Sequence, residues 1–131
     1  MLETDRMSTN YAYGDNKRDD AANFDIFKQN WYMLRNKCDR LRGQSTWQWN
    51  NGSAPNSDLS ADISCLHQSQ KAYGMNTWFG GHRNGQTGIG NPNTRDINTY
   101  KTAVYWIQRQ INSNPANLSN DIRFWVDVRP I

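Results

Sequence analysis

Glu3 is the only glutamate among the 12 acidic residues of this chain, and Asp15 follows it by twelve positions. Cleaving a glycosidic bond needs such a pair. One carboxyl group is protonated, to assist the leaving oxygen, and the other is ionised, to activate water or stabilise the cation-like transition state. Glutamate is the natural acid, because its reference pKa lies above that of aspartate and burial against rings raises it further. The two residues flank Thr9 to Tyr13, where Tyr11 and Tyr13 alternate and Gly14-Asp15-Asn16 follows, which predicts a short hairpin with Asp15 near its bend. Across a cleft the pair can meet; the plainer alternative is two solvated charges, one of them at a frayed terminus.

Aromatic residues fit the same substrate. Pyranose rings present apolar C–H faces bounded by hydroxyls, so a sugar groove combines rings with amide and guanidinium donors. Trp47 and Trp49 stand in a Gly, Ser, Asn and Pro-rich stretch from 43 to 57. The segment from Trp78 through Phe79, His82, Arg83 and Asn84 to Gly85 breaks both helical and strand periodicity, which predicts a cleft-lining loop. Trp31 and Trp106 lie inside periodic helices and are expected in the core.

Other chemistries find less support. His67 and His82, with Glu3 and several arginines, permit acid–base cleavage of RNA by a small secreted ribonuclease, the aromatic loops then stacking bases. No Gly-x-Ser-x-Gly, phosphate-cradling glycine loop or His-Glu-x-x-His is present. Cys38 and Cys65 lie 27 apart with no short Cys-x-x-Cys pair, which suits one disulfide closing a long loop better than a zinc site shared with the histidines. A net charge of +3 is too mild to imply a nucleic-acid partner, and no apolar run is long enough to span a membrane. Asn occurs 17 times and Lys only 5, a polar and weakly charged surface suited to neutral, hydroxyl-rich material outside the cell. Met1-Leu2-Glu3 lacks the pattern of a secretory leader, so the expectation is either a cytosolic protein or a mature form whose leader was removed.

The elements that must position these groups form one domain over 1–131. Leu, Ile, Val and Phe make up only about 16% of the residues, but 16 aromatic side chains supply the missing burial and a small net charge argues against disorder. Asp20 or Asn23 is expected to cap a helix with Phe24, Phe27, Trp31 and Leu34 on one stripe, running to about Cys38. Asn56 or Ser57 opens a second, with Leu59, Ile63 and Leu66 inward and Gly74 as its stop. Ile97, Tyr100, Val104, Ile107 and Ile111 define a third, from about Thr94 to Asn112. Ile122, Phe124, Val126 and Val128 alternate with polar residues and Trp125, predicting an edge or terminal strand closed by Pro130.

The runs Glu3-Thr4-Asp5-Arg6-Met7, Asn10-Tyr11-Ala12-Tyr13-Gly14-Asp15 and Asp20-Ala21-Ala22-Asn23-Phe24-Asp25-Ile26-Phe27-Lys28-Gln29-Asn30-Trp31 resemble glycoside hydrolase family 134. The resemblance is close over the first third and less distinctive beyond. It implies a mainly helical, lysozyme-like α+β domain with a small antiparallel hairpin sheet, and a secreted endo-β-1,4-mannanase that inverts configuration. It also implies Glu3 as general acid and Asp15 as general base, the family's acid and base being twelve residues apart. Asp25 departs from it, since glycine is expected there. The sugar-binding residues expected on this reading are Tyr13, Gln29, Asn30, Trp78, Phe79, His82, Arg83 and Asn84. No metal or organic cofactor is implied, the protein is expected to act as a monomer, and its partner is β-1,4-mannan or its oligosaccharides rather than nucleic acid or membrane. A lysozyme-like chitosanase or muramidase, and a non-catalytic polysaccharide-binding module, remain the alternatives beside the ribonuclease.

Overall fold

A computed structural model describes residues 12–129 of the chain. The described part is mostly helical with one two-stranded antiparallel sheet, an α+β arrangement consistent with a lysozyme-like fold. The strands are β1 (Asn23–Phe24) and β2 (Gln29–Asn30), and the α-helices are α1 (Trp31–Lys37), α2 (Leu59–Tyr73), α3 (Met75–Gly90) and α4 (Arg95–Asn112). The bulk of the hairpin expected around Thr9 to Tyr13 lies outside the described residues. Tyr13–Asn16, which follow it, form a 3-10 turn in which Gly14, Asp15 and Asn16 all take left-handed φ near 60°.

The sheet lies where a helix was expected. Phe24 and Phe27 belong to a hairpin in the register Asn23↔Asn30 and Phe24↔Gln29, and the helix begins only at Trp31. Asp25 is the reason. Its carboxylate accepts the Phe27 amide at 2.6 Å, and its own amide donates to Asn56 Oδ1 at 2.8 Å. A short polar side chain that captures nearby backbone donors in this way competes successfully with helix hydrogen bonds. Asp25 and Lys28, at either end of the tight turn, hold φ of 61° and 55°. Asn30 then caps α1 by accepting the Tyr32 amide at 3.2 Å, while Arg35 and Lys37 occupy its last turn.

Two apolar clusters flank α1. Trp31, Leu34, Phe24, Leu41 and the Cys38–Cys65 disulfide form one; Met33, Trp78, Phe79, Ile97 and Tyr100 form the other. The disulfide bridges α2 to the end of α1 with Cα atoms 4.6 Å apart, and it sets which face of α2 turns inward. That face carries Asp62, Cys65 and Ser69, whereas Leu59 and Ile63, expected inside, are exposed, Leu59 by 55%. Asp58, one residue beyond the expected caps, opens α2 by accepting the Ala61 amide at 3.0 Å, and Gly74 ends it with φ of 72°.

The stretch from Trp78 to Gly85 is helical rather than a loop. Glycines cost helix stability, but Trp78 and Phe79 bury their rings in the second cluster and offset it. The glycines also have a use. The chain kinks at Asn84-Gly85, with Gly85 at φ 58°, and the two halves of α3 fold close enough that a Cβ at Gly80 or Gly88 would enter the other's carbonyl group. In α4, Thr94 Oγ1 caps by accepting the Ile97 amide at 3.3 Å; Ile97, Tyr100 and Ile107 are buried as the periodicity requires, whereas Val104 and Ile111 are half-buried and Ala103 is buried instead. Trp106 is not core. It falls on the outer face of α4 and is 36% exposed. Residues 121–129 form no strand, yet their alternation is real: Phe124, Val126 and Val128 are half-buried between exposed neighbours. The period shows as packing, Phe124 edge-on to Trp106 and Val128 against the second cluster.

Candidate active site

The hairpin, the 3-10 turn before it, the kink of α3 and the end of the C-terminal segment surround a cleft of about 860 Å³. Asp15 enters it from the turn, whose backbone is left-handed at Gly14 and Asp15. Both oxygens are held. Lys28 Nζ donates to Oδ1, and Asn23 Nδ2 donates to Oδ2 at 2.9 Å. Asn30 Nδ2 braces Asn23 by donating to its Oδ1 at 3.4 Å, so the residue that caps α1 also steadies the group that steadies Asp15. A carboxylate oxygen has more than one acceptor site, so each retains capacity for a water or a sugar hydroxyl.

On the opposite wall stand His82, Arg83 and Asn84 of α3 and Tyr100 of α4. His82 lies flat on Trp78, ring centroids 4.9 Å apart at 9°, which fixes the plane of the imidazole. Arg83 is a strut: its guanidinium binds both oxygens of Asp96 at 2.9 Å, donates to the Arg129 carbonyl, and lies over the Tyr100 ring. The hydrogen bonds from Arg83 hold the Asp96 carboxyl below the usual aspartate range against the opposing effect of burial, with the Arg83 charge and a bond from Asn84 adding to them. Asp20 also lines the cleft, but Arg35 grips it in a bidentate pair at 2.6 and 2.7 Å and Thr46 adds a third donor. Asp15 is held instead by one ammonium and one amide.

Behind the cleft a second pair of carboxyl groups lies in the interior. Burial, and then the charge of Asp62, push the Asp25 carboxyl up to about 8, against the amides of Phe27 and Gln29 and the Gln29 side chain that favour its ionised form. Burial likewise raises Asp62 to about 6, opposed by the Ile26 amide. Gln29 Nε2 donates to Asp25 Oδ2 at 2.6 Å and to the Asp62 carbonyl at 3.1 Å, tying the hairpin to α2. Asp25 thus fixes the tight turn that carries Lys28 to Asp15.

The cleft brings together Asp15, Asn30, His82, Arg83 and Asn84 of the residues singled out from sequence. Gln29, Trp78 and Phe79 are buried behind it, where Trp78 Nε1 donates to Ser69 Oγ at 3.0 Å. Tyr13 is exposed beside the cleft, its ring on Phe24 and Trp49 and its hydroxyl donating to the Asn50 carbonyl at 3.1 Å. Trp47 is 77% exposed and outside the cleft wall, as is the exposed His67, so the cleft does not combine the two histidines. Glu3 lies outside the described residues. Sequence reasoning missed Asn23 and Lys28. The signal available was Asp25, a turn-forming residue four places before Gln29, which would have moved the hairpin to 23–30 and set Lys28 at its end.

Among the described residues no group of His, Cys, Asp and Glu converges as metal ligands, and no helix is long and apolar enough to cross a membrane. No curated protein matches the sequence. The family model for glycosyl hydrolase family 134 matches residues 1–128, nearly the whole chain. The chain therefore belongs to glycosyl hydrolase family 134, the endo-β-1,4-mannanases, and is a hydrolase of mannan-type polysaccharide.

Proposed function

We propose that this protein cleaves internal bonds of β-1,4-mannan by an inverting single displacement, with Asp15 as general base and Glu3 as general acid. Ionised Asp15 takes a proton from water as its oxygen attacks the anomeric carbon. The bond to the leaving oxygen breaks on the opposite face, and Glu3 supplies that oxygen with a proton. The observation that carries the reading is the hold on Asp15. Lys28 and Asn23 fix both of its oxygens inside the cleft of a chain that belongs to a glycoside hydrolase family.

Asn30, His82, Arg83 and Asn84 would meet the sugar hydroxyls, with Tyr13 at the cleft's margin. Gln29, Trp78 and Phe79 would act from behind by setting the positions of the hairpin and of His82. The axial 2-hydroxyl of mannose is the feature these donors must distinguish. We further propose a single-domain, monomeric, secreted enzyme; the Cys38–Cys65 disulfide supports an oxidising compartment. Reducing-end release from β-1,4-mannan, cellulose, chitosan and RNA by the purified protein and its Glu3→Ala and Asp15→Ala variants tests the assignment. Mannan-only cleavage, lost in both variants while circular dichroism is unchanged, is the expected result. Cleavage that persists in Glu3→Ala contradicts it.

A further inference from the structure

A second groove, of about 670 Å³, runs between the outer face of α4 and residues 125–127. We propose that it is a carbohydrate-binding site separate from the catalytic cleft and that it holds a length of β-1,4-mannan while another part of the polymer is cleaved. The inference rests on the substrate class of the preceding reading.

Its floor is one stripe of α4, Asn98, Thr102, Trp106 and Arg109, at spacings of 4, 4 and 3. Its wall is the C-terminal segment, which contributes Trp125, an indole 75% exposed to solvent. The Trp106 ring is braced from behind by Phe124, edge-on at 6.2 Å and 83°, so the floor ring is held in place. Two indoles interleaved with an amide, a hydroxyl and a guanidinium match a ligand with apolar faces and a rim of hydroxyls, which describes a pyranose chain.

Position supplies the second argument. Groove and cleft share their walls. Trp125 to Asp127 face the groove while Val128 and Arg129 face the cleft, and Thr99 and Ala103 of α4 face the groove while Tyr100 faces the cleft. A polymer held in the groove is therefore tethered beside the catalytic carboxylate. Tethering raises the local concentration of cleavable bonds without adding any contact in the cleft. It also accounts for an outward-facing tryptophan in the middle of the chain's most regular helix.

The test uses the full-length protein and its Trp125→Ala variant, with Arg109→Ala as a second that leaves both indoles in place. Retention on insoluble β-1,4-mannan reports the groove, and kcat/KM on a short soluble manno-oligosaccharide reports the cleft. Loss of an aromatic anchor is expected to lower retention about fivefold or more in Trp125→Ala, with kcat/KM within about twofold of wild type and an unchanged melting temperature. Three results would overturn the proposal: unchanged retention in both variants, equal Trp125-dependent retention on cellulose, or a size-exclusion shift showing that Trp125 joins two copies of the chain. Absence of hydrolysis by the wild type would sink the catalytic reading instead, and Trp125-dependent retention on mannan would still support the groove.

Discussion

Replacing Asp25 by Asn should change how stability depends on pH. The Asp25 carboxyl is fully buried and its folded-state pKa stands at about 8, against 3.8 for the free side chain. Because the folded value is the higher one, between those limits the native state binds a proton that the unfolded chain has released. Stability therefore falls as pH rises from about 4 to about 8, with a slope approaching 1.4 kcal/mol per pH unit for one proton. Summed over the interval this is about 6 kcal/mol, comparable to the whole stability of a small domain. Asp25→Asn removes the titration while keeping an acceptor for the Phe27 amide. Urea unfolding followed by tryptophan fluorescence at pH 4 to 9 should show the variant gaining on wild type steadily as pH rises. Asp62→Asn, which removes the second-largest cause of the shift, should recover part of that gain. Parallel curves for wild type and Asp25→Asn across this range would refute the reasoning.

Lys28→Met should lower kcat on mannan by about tenfold or more, in the range of a lost charged contact of roughly 1.5 to 3 kcal/mol, with Asn23→Ala costing less; kcat and circular dichroism measured together check it. Arg83→Met breaks the paired bonds to Asp96 and the link to the Arg129 carbonyl, so its melting temperature should fall. Because Asp96 is held below its usual range, the Asp96 share of that loss is present above the unfolded aspartate pKa and should disappear as pH drops through the depressed value, as melting at pH 2 to 7 would reveal. Reducing the Cys38–Cys65 disulfide opens a loop of 27 positions. It should cost about 3 kcal/mol of stability, measured by urea unfolding with and without dithiothreitol.

Periodicity was a sound guide where one helix face meets one core, and α4 from its Thr94 cap to Ile107 is the clearest case. It misled where another force chose the face. The disulfide and the bond from Trp78 to Ser69 turn α2 so that Asp62 and Ser69 go in and Leu59 stays out. At 23–30 the aromatic spacing is helical, but Asp25 captures the local amides and makes a hairpin. Asp15 was expected near a bend, and it stands on the 3-10 turn that lines the cleft. Lys28 and Asn23 were missed because the aromatic spacing at 24–34 reads as a helix, and the turn that Asp25 signals is what brings them to Asp15. His82 was expected beside the sugar as part of a loop; its orientation instead comes from a helix whose rings point inward and whose kink at Gly85 exposes Asn84 to the cleft.

The central claim is that Asp15 drives water onto the anomeric carbon in one step. Proton NMR recorded during the first moments of manno-oligosaccharide cleavage tests it most directly, before mutarotation mixes the product anomers. The account predicts that the α-anomer appears first from the β-linked substrate, and that Asp15→Asn loses this activity with its fold intact. Initial release of the β-anomer, or undiminished turnover by Asp15→Asn, would contradict it.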